Sequence, residues 1–425
     1  MLKLSQARAL RRRVLVGVGL GAALAACGSS GAATGSSSAA PSATLNSANP
    51  FSIGVVIPLS GPYAAVGQGI LQGMNIAVDE LNAGNGILGR KVQLVQRDDG
   101  GTSAKAVLAA QDLVENAKVD FLLSDAISAQ SLAILPYTTQ KKIVTISTGG
   151  AASLDDAAKY PYNFQLTIPF EKQAKPTVYG AKLAGAHKVA VLTTNDAGGT
   201  SNGDALVPLL KNGTYGLSFV DYLKFDPKAT DVTPELQKLR GAGADGIITQ
   251  APGAAIGTLM RGVRDLNWDV KVVGTNGTVT GDISALVPQS VATQFTAVVM
   301  RGMVRSQPDQ VDPPFRTFAD QLGKQGPVSN LQVPMLHRDL TYLVAWAYNK
   351  AGSTDQDKVK AAFESMRSSS LPNGTSLVYP NPGFTATEHG TRDADYSHFW
   401  GAATTSKIVE GTFLGQPMTL PSSDT

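Results

Sequence analysis

From Phe51 onward, short β-branched runs alternate with stretches whose apolar residues recur at helical spacing. This alternation restricts the chain to a parallel sheet covered by helices. Strands are expected at Phe51 to Ile57, Val92 to Arg97, Phe121 to Leu123 and Ile143 to Ile146, with helical patterns from Ile70 to Leu81, around Ala104 to Asn116 and around Gln130 to Gln140. A second series begins near Glu171. Its strands are expected at Val189 to Thr193, Leu217 to Tyr222, Gly246 to Thr249 and Lys271 to Gly274, and its helices near Lys172 to Leu183, Asp204 to Lys211, Thr233 to Arg240 and Ala254 to Leu266. After Ala297 the pattern loosens, with helices near Met335 to Lys350 and Asp357 to Met366 and two or three strands between Leu377 and Phe413. The expected fold class is α/β, with two doubly wound, Rossmann-like lobes. Lobe 1 takes 51–170 plus about 297–375, lobe 2 takes 171–296 plus about 376–415, and 416–425 form a tail.

The N-terminus reads as an address. A basic stretch precedes Val14 to Ala26, an uncharged run shorter than the ~20 residues a spanning helix needs, so 1–26 reads as a signal peptide. The run ends in Leu24-Ala25-Ala26-Cys27, which resembles the bacterial lipobox and makes Cys27 the expected acylation site. Arg11-Arg12-Arg13 is compatible with twin-arginine export or with an ordinary basic segment. Residues 27–50, rich in Ser, Ala and Gly and without charge, are expected to be a flexible linker. The expected product is exported and held to the cell membrane by lipid on Cys27, facing the periplasm or exterior. Lys plus Arg exceed Asp plus Glu by 36 to 33, but Lys3, Arg8, Arg11, Arg12 and Arg13 all precede Cys27. The remainder is close to neutral, which gives no case for nucleic-acid binding. The single cysteine excludes a disulfide framework.

In doubly wound lobes the loops at the carboxyl ends of the strands face the ligand. Those loops are Pro58 to Gln68, Asp98 to Thr102, Ser124 to Gln130 and Ser147 to Ser153 in the first lobe, and Thr194 to Gly203, Gln250 to Ala254 and Thr275 to Thr280 in the second. They are rich in Gly, Ser, Thr and Asn, which expose amides and hydroxyls to a carboxylate or other small polar group and also serve as ordinary turns and caps.

Catalytic signals are weak. His187, His337, His389 and His398 lack metal-ligand spacing, and neither a metal site nor a cofactor is indicated. His337-Arg338-Asp339-Leu340 spells the start of a kinase catalytic loop, but Val344 stands where the metal-binding Asn belongs, so the motif reads as a helix start. Asp98-Asp99 before Gly100-Gly101-Thr102 reads as a turn and N-cap. The chain is not expected to be an enzyme.

Ile53-Gly54-Val55-Val56-Ile57-Pro58-Leu59-Ser60-Gly61-Pro62-Tyr63 through Gly67, with Leu81-Asn82-Ala83-Gly84-Asn85-Gly86-Ile87-Leu88-Gly89-Arg90-Lys91-Val92, resembles the leucine/isoleucine/valine-binding protein family of periplasmic solute receptors. A weaker similarity continues to about Phe413. The resemblance implies a type I fold with three crossovers, closing on a small solute and delivering it to the permease of an ABC importer, with a monomer expected. It implies a carboxylate site at Asp125 to Ser128 and Thr148 to Ala151, and an acid pairing with the ammonium near Thr275-Asn276-Gly277. Asn276 occupies that acidic position, and Ala251-Pro252-Gly253 replaces the family's aromatic residues. An unpaired buried ammonium costs several kcal/mol. Either Asp125 or Asp196 supplies the charge, with Asp125 preferred, or the ligand is a carboxylate, amide or urea-like compound without an ammonium. The candidate ligand-binding residues are Tyr63, Gln68, Asp125, Ala126, Ser128, Thr148, Gly149, Gly150, Asn195, Asp196, Ala251 and Asn276. A sensory receptor on the same fold is the alternative. A hydrolase using Asp98, Asp125 or Asp196 is a third class, distinguished by turnover of the bound compound.

Overall fold

The computed structural model describes residues 45–281, 283–300, 304–305, 313–326, 331–372, 382–391, 400–409 and 412–418. The expected signal peptide, Cys27 and most of the linker lie outside the described residues, as does most of the tail.

The first lobe is built on β1 (Asn46–Ile57), α1 (Ala64–Ala83), β2 (Arg90–Asp98), α2 (Ser103–Glu115), β3 (Phe121–Leu123), α3 (Ser128–Lys141), β4 (Thr145–Ser147) and β5 (Asn163–Gln165). Its sheet has the order β2-β1-β3-β4-β5, all parallel. Successive side chains of a strand face opposite ways, and here both ways are buried. Ile53, Val55 and Ile57 join one core, whereas Val56 joins Ala106, Ala110, Leu113 and Ile134 under α2 and α3. The strand begins earlier than expected. Asn46–Pro50, read from composition as linker, extend β1: the Asn46 amide donates to Gly89 O, and Arg90 donates to the carbonyls of Asn49 and Pro50.

The second lobe contains α4 (Phe170–Leu183), β6 (Lys188–Thr194), α5 (Ala197–Lys211), β7 (Ser218–Phe225), α6 (Thr233–Gly241), β8 (Gly246–Thr249), α7 (Ala254–Asp265), β9 (Lys271–Gly274), the short α8 (Ile283–Leu286), β10 (Phe295–Met300) and β11 (Val304–Arg305). Next come α9 (Pro313–Gly323), α10 (Gln332–Ala351) and α11 (Gln356–Glu364), and finally β12 (Trp400–Val409) and β13 (Thr412–Pro417). The second sheet runs β11-β13-β12-β10-β9-β8-β6-β7, with β12 antiparallel to β10 and β13.

The chain passes between the lobes three times. Helices α9 and α10 return to the first lobe, where Glu80 of α1 accepts from Gln321, Arg338 and Tyr342. Gly73 of α1 lies against α10 so closely that a Cβ there would stand 1.9 Å from Pro334 O. The expected tail at 416–425 starts later, because Gln416 and Pro417 pair with Ala402 and Gly401 inside the second sheet, and two lobe boundaries move. β10 continues to Met300 inside the second sheet because it pairs in register with both β9 and β12, so that lobe does not end at 296. Residues 382–391 stay with the first lobe rather than the second, since Gln165 donates its amide to His389 O and Thr391 donates its hydroxyl to Thr167 O. β5, with only three residues, had no β-branched run to reveal it. His337-Arg338-Asp339-Leu340 lies in the second turn of α10, whose first residue is Gln332.

Candidate functional site

The carboxyl ends of β1, β3 and β4 face those of β6, β8 and β9 across a cleft of about 700 Å³ including its mouth. The first lobe lines it with Val66, Ala126, Ile127, Ser128, Thr148 and Gly150, joined by Gln332, Val333, Leu336 and His337 of α10. From the crossover and the second lobe come Thr167, Phe170, Gln173, Asp196, Gly198, Gln250, Pro252, Asn276, Gly277 and Thr280. No lysine or arginine is among these lining residues.

The lobes touch at the cleft. The Tyr63 hydroxyl donates to Asp196 Oδ2 across 3.0 Å, and the Ala254 amide donates to Pro62 O across 3.1 Å. Burial and the adjoining Asp196 carboxylate push the Tyr63 phenol well above its ordinary pKa, so it remains a donor. Gly253 makes this approach possible: its φ is +62°, and a Cβ would lie 2.4 Å from Pro62 O.

On the first-lobe wall, Gln165 Nε2 donates to Gly149 O at 2.7 Å and Ala151 O at 3.0 Å, fixing the loop after β4. Ser128 Oγ accepts from the Ala151 amide, and a Cβ on Gly149 would stand 2.7 Å from that oxygen. The Thr148 hydroxyl meets His337 Nε2 at 3.0 Å, while His337 Nδ1 meets Val333 O at 2.7 Å. A carbonyl only accepts, so Nδ1 carries the hydrogen, and in the neutral ring Nε2 accepts from Thr148. Burial pushes the His337 pKa down to about 4, keeping that ring neutral.

Asp125 does not serve as expected. It has φ +80° and is fully buried, its Oδ1 accepts from the Ala126 and Ile127 amides, and it does not line the cleft. Its carboxyl turns toward Asp99; burial first, and then the hydrogen bond and charge of Asp99, hold its pKa well above the carboxylate range. An acid turned away from the cleft and biased toward its neutral form is not placed to pair with a ligand ammonium. Asp99 itself accepts from the Gly101 amide, while Asp98 accepts from Leu59, Ser60 and Gly100 and staples the loops after β1 and β2, consistent with the turn reading.

Asp196 does line the cleft, and caps α5: Oδ1 accepts from the Gly199 amide at 2.8 Å and the Thr194 hydroxyl at 3.1 Å. On the second-lobe wall, Gln250 Oε1 accepts from the Thr275 hydroxyl, and the Thr280 hydroxyl donates to Gly277 O. Gln173 Nε2 donates to Ile168 O, and both Gln173 Oε1 and Asn276 Oδ1 are buried without a hydrogen-bond partner.

Of the sequence candidates, Ala126, Ser128, Thr148, Gly150, Asp196 and Asn276 line the cleft. Gly149 packs behind Ser128, and Tyr63 contributes through Asp196. Gln68 is exposed on α1, because one further helical turn carries it away from the loop. Asn195 is exposed at the outer mouth, and Ala251 is buried with its amide on Thr278 Oγ1, while its neighbours Gln250 and Pro252 face the cleft. Phe170, Gln173, Gln250 and the α10 residues were not selected from sequence. The α10 group had no motif to reveal it, since the apolar spacing around His337 is that of any packed helix.

The profile of the family described as periplasmic binding protein matches residues 50–394. A Leu/Ile/Val-binding protein homologue of Brucella melitensis is 28% identical over 228 residues, covering 53% of this chain and 61% of that protein. The chain thus spans about six-tenths of the length of such curated relatives. Among solved structures, the leucine-binding protein of Thermotoga maritima has TM-score 0.71 at 17% identity, covering 88% of this chain and 99% of the other. A solute-binding protein of an ABC transporter from Rhodopseudomonas palustris, in complex with 4-hydroxybenzoate, has TM-score 0.69 at 20% identity, covering 87% and 96%.

Proposed function

Because the chain belongs to the periplasmic binding protein family and has its type I fold, we propose that it is an extracytoplasmic receptor that captures a small polar solute between its lobes and delivers it to an ABC-type importer. The observation that carries this reading is the two-walled cleft bridged by Tyr63–Asp196 and Pro62–Ala254, since a solute held there contributes to closure, and closure is the signal a permease reads. The chain binds its solute without turning it over, acts as a monomer, and is held to the membrane through lipid on Cys27. One neighbouring structure is of a leucine-binding protein and the other holds 4-hydroxybenzoate, which supports a solute of this size with a polar end and an apolar body.

A thermal-shift panel of free amino acids, their deaminated carboxylates, amides and aromatic acids tests the reading. At least one solute is expected to raise the midpoint in proportion to its concentration, and Phe170→Ala, which removes part of the wall, is expected to abolish that rise. A panel without effect, or a rise indifferent to Phe170→Ala, overturns it.

A further inference from the structure

Resting on the receptor reading, we infer that the cleft selects a neutral carboxamide with a small apolar substituent and rejects the corresponding carboxylate. The inference follows from which hydrogen-bonding groups are already used. Helices α3, α4, α5, α7 and α10 all begin beside the cleft, and the first amides of a helix suit an anion. Part of that supply is taken: the amides of Ala126 and Ile127, just before α3, by Asp125 Oδ1, Phe170 of α4 by Gly150 O, Gly199 of α5 by Asp196 Oδ1, and Ala254 of α7 by Pro62 O. No lysine or arginine lines the cleft to replace them.

Several lining groups instead present acceptors. The Thr148 hydroxyl spends its hydrogen on His337 Nε2 and turns only lone pairs outward. Gln173 gives one N–H to Ile168 O, and its Oε1 is unpartnered at 2% residue exposure, as Asn276 Oδ1 is at 6%. Burying such oxygens unmet is costly, and a solute with N–H groups meets them. A carboxylate would face them with more acceptors. An ammonium would have to share Asp196, whose oxygens already accept from Tyr63, Gly199 and Thr194, since Asn276 carries no charge. Gln250 Nε2 and the Ser128 hydroxyl remain to donate to the one carbonyl of an amide, and Val66, Phe170, Val333 and Leu336 form an apolar wall that disfavours a polyol.

The test is titration calorimetry of the full chain with two matched pairs, isovaleramide against isovalerate and benzamide against benzoate, with leucine alongside. At least one amide is expected to bind at least tenfold more tightly than its carboxylate. Thr148→Val is expected to weaken that amide about fivefold. Asp125→Gly, tolerated by φ +80°, frees the Ala126 and Ile127 amides and is expected to bring in carboxylate binding absent from the wild type. Carboxylates or leucine binding the wild type as well as the amides overturn the inference and leave the receptor reading standing. Failure of all five probes, while another member of the solute panel binds, does the same. Only the absence of any binding solute removes both.

Discussion

The two walls of the cleft solve the same problem differently. The first-lobe wall holds His337, and Asp125 behind it, in surroundings that disfavour the charge of each, and fixes its loops through Gln165. The second-lobe wall relies on side-chain amides and hydroxyls, with Asp196 its single lining acid. One wall is therefore sensitive to pH through its buried framework, the other to loss of individual hydrogen-bonding groups. Polar groups buried without full compensation make a wall specific but expensive to alter.

The largest expected effect breaks the first wall with acid. His337 has a native pKa of about 4 against an ordinary 6.5, so its contribution is intact above 6.5 and lost as pH falls through the native value. A loss on the order of 3 kcal/mol is expected between those limits. Denaturant unfolding from pH 7 to pH 4 checks it, and His337→Gln should flatten the slope relative to wild type. Gln165→Leu comes next: two buried carbonyls lose their donor, at about 2 kcal/mol in all, with weakened solute binding because the Thr148 to Ala151 loop loosens.

Tyr63→Phe joins the comparison from the other side, removing the donor that ties the first lobe to Asp196. About 1.5 kcal/mol of closed-state preference, roughly tenfold in solute affinity, is expected to go, with a larger radius of gyration by solution scattering. Asp125 runs opposite to His337. A carboxyl whose native pKa is raised contributes fully below its unfolded pKa, and that contribution is lost as pH rises toward the native value. Asp125→Asn is expected to lessen the decline of stability with pH above the ordinary carboxyl range. Smallest of all, Gln68→Ala on the exposed face of α1 should change stability by less than about 0.5 kcal/mol and leave binding intact.

The legible parts were those fixed by local pattern. β3 falls on its apolar run and β8 and β9 on their β-branched ones, and Ser128, Thr148, Asp196 and Asn276 follow strand ends that periodicity had already placed. The orientation of Asp125 depends on a positive φ at a residue that is not glycine, a local conformation no spacing announces. His337, Val333 and Leu336 reach the cleft only because α10 returns to the first lobe after β6 to β11 of the second sheet have been laid down. Their apolar and histidine positions signal burial without saying what they face. Phe170 and Gln173 are hidden for a related reason: they open the helix just past a crossover, outside the strand-end loops.

The contact between α1 and α10 also sets a timetable. Glu80 and Arg338 are separated by 258 positions, and Gly73 waits for Pro334. A chain emerging N-terminus first carries the apolar face of α1 uncovered until α10 has been made, so the first lobe can complete its core only after most of the second has appeared. Such non-local closure slows folding and prolongs the time in which the chain is extended and vulnerable to association. A protein ending before residue 331 would retain most of the second sheet but leave α1 without the helix that covers it.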